Sequence, residues 1–178
     1  MILSIILSSF LACGEKTPVK VAEPVVNSKY PKWFLNQPEL CGVGVIPLND
    51  VNGDVGQAKS YAEDKARNDL SKQIETKTGS MIKQYNNATN SMGEAVSETN
   101  RQEVSKSLSK LTLNGSIPEK ADVIDEQYYS LVCMKPGALT DALNNMKQLN
   151  EAQRAAVVKR AEKADKELKD ELENYDNY

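Results

Sequence analysis

Three cysteines and not one histidine set limits on the chemistry open to this 178-residue chain. Without histidine it lacks the commonest general base and metal ligand, and any Ser–His or Cys–His nucleophile pair. An enzyme built from it would need a pair of carboxylates among its 25 Asp and Glu. Their spacing singles out no pair, and solvated helix faces account for most of them. Asp50, Asn52 and Asp54 alternate as in a calcium loop. However, Val55 fills the place of the obligatory glycine, and Tyr61 stands where the bidentate Glu belongs. Those residues read better as a turn, with Asp54 and Gln57 forming a capping box that starts a helix. The glycines of "CGVGVIPL" (41–48) invite a nucleotide-loop reading, but the third glycine is missing, Pro47 breaks the turn, and no helix follows directly. Glycine there instead lets another backbone come close. No catalytic residue, metal or cofactor is therefore expected. A net charge of −3 and a pI near 5.2 argue against nucleic acid as a partner.

Cys13 raises a different chemistry. The run before it, "MILSIILSSFLA" (1–12), carries no charge and is too short to span a bilayer, which takes roughly 20 residues. It fits the apolar region of a secretory signal, with small Ala12 at the cleavage step. The string "FLAC" resembles a bacterial lipoprotein box, with Phe10 in place of the usual Leu, so Cys13 is expected to be acylated and to hold the protein on a membrane. Several acyl chains, at about 0.8 kcal/mol per buried CH₂, anchor stably. By resemblance to lipoprotein sorting patterns, the lack of Asp after Cys13 favours the outer membrane. Residues 13–29, with two prolines and mixed charge, read as a flexible tether from that anchor. Cys41 and Cys133 remain, an even count compatible with one disulfide in an oxidising compartment.

The elements follow from spacing. In "YPKWFLNQP" (30–38) two prolines forbid a long helix. Trp33 either pins this segment to the core or offers an aromatic patch to a partner. Residues 41–47 form a strand with Cys41, Val43 and Val45 on one face and the glycines and Ile46 on the other. Ala58, Ala62, Ala66, Leu70 and Ile74 then recur every four residues, the buried stripe of a helix. Its small residues suit close packing over the glycine-bearing strand, while Lys65 and Asp69 lie largely off the stripe. The run "NNATNSMG" (86–93) breaks it. A second helix spans roughly 94–110, and two strands joined around "DE" occupy 111–135. The last of these, 128–134, is apolar on both faces and so central. A helix beginning at Pro136 buries Leu139, Ala142, Leu143 and Met146.

Beyond Leu149 the chain becomes dense in Ala, Glu, Lys and Asp with no breaker. Val157, Ala161, Ala164, Leu168 and Leu172 make a narrow stripe spaced like a coiled-coil seam. Three readings stand: a solvated helix projecting from the domain, a helix for self-association or partner binding, and a membrane-surface helix. On the partner-binding reading, truncation after Leu149 leaves a folded domain that self-associates less.

"PKW" before a "GVG" strand, then "AKSYAEDKARNDLSKQI", then paired strands ending "YYSLVCM", resemble the membrane-associated twenty-kilodalton lipoprotein family over about residues 30–147. The most telling run is Ala62, Ala66, Arg67 and Leu70. The resemblance implies an α/β domain of α+β type, a small mixed sheet of about three strands covered by helices, tethered to the outer membrane and without catalytic residues. Some members of that family are structural parts of flagellar disks. It also suggests that the strands of Cys41 and Cys133 are neighbours. A bridge between them would close a loop of about 90 residues, worth somewhat over 4 kcal/mol on a chain-entropy account. The alternative is two buried free thiols acting as small hydrophobes.

The expected organisation is a signal at 1–12, a tether at 13–29, an α/β domain at 30–147 and a charged helix at 148–178. The expected function is that of a non-enzymatic outer-membrane lipoprotein. It would hold the membrane through Cys13 and assemble with copies of itself or with envelope or flagellar proteins. The alternative is a small-ligand module with its pocket between the Ala-rich helix and the sheet.

Overall fold

In the computed structural model, which describes residues 29–89 and 95–175, a three-stranded sheet carries helices on both sides of its sequence. The strands are β1 (Cys41–Pro47), β2 (Ser116–Ile124) and β3 (Gln127–Met134). Their order is β1-β3-β2, so the most apolar strand is central. Both pairings are antiparallel, so the expected mixed sheet is an antiparallel one. The hairpin linking β2 and β3 turns on Asp125 and Glu126 alone, with φ of 49° and 58°. Two successive positive φ values match the right-handed twist of the strands they join.

A short helix α1 (Lys32–Leu35) precedes β1. A 3₁₀ turn, Leu48–Val51, follows it, and Asn52 and Gly53 then take positive φ. Asp54 Oδ1 accepts the Gln57 N–H at 3.0 Å and starts α2 (Val55–Thr89). The Gln57 side chain does not complete the expected capping box. Its Nε2 donates to the Tyr61 hydroxyl.

α2 lies across β1 and β3, and its closeness has a simple cause. A Cβ on Gly42 would stand 2.0 Å from the Ala66 carbonyl oxygen, and one on Gly44 1.9 Å from that of Ala62. Ala58, Ala62, Ala66, Leu70 and Ile74 are fully buried along that contact. The helix runs on to Thr89 instead of breaking at residue 86. Asn86 serves the corner that follows, its amide donating to the Val96 carbonyl at 3.0 Å and accepting the Val96 N–H at 2.8 Å.

α3 (Glu98–Gly115), capped by the Ser97 hydroxyl on the Asn100 N–H, packs on α2 through Val104 and Leu108. It continues to Gly115, so residues 111–115 are helical where a strand was expected. α4 (Ala138–Asn144) starts after Gly137, whose φ is 84°, and leaves Pro136 outside. α5 (Glu151–Tyr175) opens on a reciprocal cap. Asn150 Oδ1 accepts the Gln153 N–H at 2.9 Å, and Gln153 Oε1 accepts the Asn150 N–H at 3.0 Å.

α5 does not project. It lies against α4 and α2, and Val157, Ala161, Ala164 and Leu168 belong to the same core as Leu70, Leu131 and Leu143, with Leu172 at its margin. Asp165 joins α5 to α4 by accepting the Thr140 N–H at 3.2 Å. The charged helix is thus a wall of the domain, and the expected boundary near residue 147 falls inside one core.

Candidate functional site

Cys41 and Cys133 face each other in the β1–β3 register, both fully buried. Their sulfurs are 2.05 Å apart, the length of a disulfide bond, with Cα atoms 3.9 Å apart across 92 positions of sequence. The next pair explains the approach. The Met134 N–H donates to the Leu40 carbonyl at 2.9 Å, which puts 41 and 133 at the neighbouring non-hydrogen-bonded site, where antiparallel strands come closest. Leu40 takes φ of 57° at this point while only 3% exposed, so core burial holds an otherwise unfavourable backbone.

The face of the sheet away from α2 carries Cys41, Val43 and Val45 beside Cys133, Leu131 and Tyr129. The segment from Tyr30 to Leu35 covers part of it. Phe34 meets Tyr129 edge-on at 5.3 Å, and Tyr30 meets both rings. Trp33 is 5% exposed and donates its indole N–H to Asp122 Oδ2 at 2.9 Å. It therefore pins the segment to the sheet and presents no patch to a partner. The other residues expected to meet a partner, Val157, Ala161, Ala164 and Leu168, are also buried within the chain, and Leu172 partly so. A stripe spaced for another helix has found α2 and α4 of its own molecule. Cys13 lies outside the described residues.

The two edges of the sheet are treated differently. Along β1, side chains take the outward backbone groups. Val43 N–H donates to Asp69 Oδ2 at 3.1 Å, Lys65 Nζ donates to the Val45 carbonyl at 3.2 Å, and Gln37 Nε2 donates to the Cys41 carbonyl. Gln73 and Gln37 also donate to Asp69, holding its carboxylate in place. Residues that read as a solvated face of α2 thus close an open strand edge. Only the register of helix on strand reveals this, and spacing along one element does not carry it. β2 is the other edge, with Ala121, Asp122 and Val123 exposed in succession and Val123 50% exposed.

No space remains between α2 and the sheet for the small-ligand pocket expected there, since backbone meets backbone at Gly42 and Gly44. An open groove of about 670 Å³ lies instead between α2 and α5. Lys72, Lys77, Arg160 and Lys163 line it together with Glu39 and Glu167. Lys77 pairs with Glu39, and Lys163 with Glu167, so the groove neutralises much of its own charge. Among the described residues, no group of three His, Cys, Asp or Glu side chains is placed to hold a metal ion. No helix there is long and apolar enough to cross a membrane. Burial holds the hydroxyls of Tyr128 and Tyr129 above the usual tyrosine range, with Glu63 adding to the effect at Tyr128 and Tyr30 and Asp125 at Tyr129. No protein-family model, curated protein or solved structure matches the chain.

Proposed function

We propose that this chain is a lipid-anchored, non-enzymatic component of the bacterial outer membrane, acting by assembly with copies of itself or with other envelope proteins. The flagellar basal disk is the specific setting suggested by the sequence resemblance. The observation that carries the reading is the pairing of Cys41 with Cys133, directly opposite each other on β1 and β3 and both fully buried. A disulfide buried in a sheet persists where the surroundings oxidise thiols, and the leader ending in "FLAC" would deliver the chain to such a compartment. A chain without histidine has few routes to catalysis, and an anchored domain with a rigid sheet suits a structural role.

The test is metabolic labelling of the full chain with a palmitate analogue. Wild-type protein is expected to take up the label and to sediment with outer membranes, while Cys13→Ala loses both properties. Unlabelled wild-type protein, or a variant that stays on the membrane, refutes the anchor. Imaging a deletion strain for a lost flagellar disk tests the specific setting.

A further inference from the structure

The exposed edge of β2 has a definite hydrogen-bonding phase. Met134 N–H donates to Leu40, and Leu48 N–H donates to the Glu126 carbonyl, so even-numbered residues of the hairpin's second arm address β1. The odd-numbered ones, Gln127, Tyr129 and Leu131, therefore address β2, where their partners are Ile124, Asp122 and Lys120. The residues between, Val123 and Ala121, turn their N–H and C=O groups outward. Pro118, which has no N–H, and the register shift between Pro118 and Lys120 end this regular stretch on one side. The Asp125–Glu126 turn ends it on the other.

We propose that this edge pairs with the same edge of a second copy, antiparallel about a two-fold axis through Ala121, making one continuous six-stranded sheet. The proposal rests on the assembly reading above and names the partner and the surface. Charge selects the axis. An axis through Lys120 or Asp122 sets like charges directly opposite each other, and one through Val123 runs the pairing into the turn. The axis through Ala121 sets Lys120 of each copy opposite Asp122 of the other, at the non-hydrogen-bonded positions where cross-strand side chains are nearest. Ala121 meets Ala121 of the second copy as a hydrogen-bonded pair, and its small side chain leaves the axis uncrowded. Asp122 already accepts the Trp33 indole N–H on one carboxylate oxygen, which fixes its position on the sheet. The β1 edge is closed by Asp69, Lys65 and Gln37, so β2 pairing closes a dimer and does not propagate a fibre.

The experiment uses the full chain with Cys13→Ser, which removes a competing thiol. Ala121→Cys places two thiols across the axis, with Cα atoms about 5.5 Å apart, within disulfide reach. It should form a covalent dimer on mild oxidation at least tenfold faster than Tyr61→Cys, an exposed site on α2. Lys120→Asp and Asp122→Lys should each weaken self-association tenfold or more by light scattering. Mixing those two variants should restore it, because every cross-strand pair is then Asp against Lys.

Equal cross-linking of the two cysteine variants, or indifference to charge reversal, overturns the proposal. If Asp122→Lys fails to fold for want of the Trp33 hydrogen bond, Lys120→Asp alone decides. A chain that remains multimeric in every variant keeps the assembly reading and discards this edge. A chain that stays monomeric at every concentration discards both self-assembly and the edge.

Discussion

A single methyl group at Gly44 would enter the backbone of α2 at Ala62, and backbone, unlike the far end of a side chain, has nowhere to move. Gly44→Ala should therefore destabilise the fold by about 3 kcal/mol or more in denaturant unfolding, as forced overpacking does. Gly79, in the middle of α2 with nothing within 4 Å of an added Cβ, should behave in the opposite way. Gly79→Ala should stabilise by about 0.5–1 kcal/mol. Tyr128 and Tyr129, whose rings are buried on β3, give a pH dependence. Their folded pKa lies above the unfolded value near 10, so their share of stability is complete below about pH 10 and is lost as pH rises through the folded pKa. Melting midpoints should fall above pH 10, and ultraviolet titration should show the Tyr128 and Tyr129 hydroxyls ionising late. The glycine–alanine contact was legible because both partners show a period, two in the strand and four in the helix. The closure of β1 by Asp69 and Lys65 was not, since a polar residue off a helix stripe looks the same whether it meets water or a strand edge.

Element boundaries moved where packing or caps outweighed local composition. "LTLN" has strand-forming residues, yet buried Thr112 bonds back to the Leu108 carbonyl at 3.0 Å and remains in α3, so tertiary context overrides propensity. Pro136 suits a first helical turn, but Gly137 takes the positive φ that redirects the chain, and α4 starts one residue later. The start of α5 is written in "NEAQ", a reciprocal cap whose residue types signal it without any structure. Asn150→Ala should lower stability by about 1 kcal/mol in thermal unfolding. The β2–β3 turn is costlier than it need be, because Asp125 and Glu126 both hold positive φ. Glu126→Gly should raise the unfolding free energy by up to about 1 kcal/mol, the relieved backbone strain outweighing the added freedom of the unfolded chain.

At the scale of the molecule, the helix that composition marks as an appendage is part of the core. Its thin stripe of Val157, Ala161, Ala164 and Leu168 packs on α2 and α4. A stripe of that width reads the same for a partner in another chain and for one in its own, which is why the sequence left the choice open. A stop after Leu149 should thus abolish the cooperative unfolding transition, where the sequence alone suggested a folded remainder. The three-strand sheet, its central apolar strand and the covering helices were legible from period and burial pattern, but the antiparallel pairing of all three strands was not, since a mixed sheet was expected and the direction of β1 on β3 is set only by packing. The cystine also has a mechanical meaning. It short-circuits 92 positions of chain, from β1 through α2, α3 and β2 to β3. A pull that enters near Tyr30 and leaves through α5 crosses that stretch along one covalent link, so α2, α3 and β2 bear no tension in series. Only the segments outside the ring can be drawn out. In single-molecule stretching, reduction of the bond should release roughly 320 Å of further contour length.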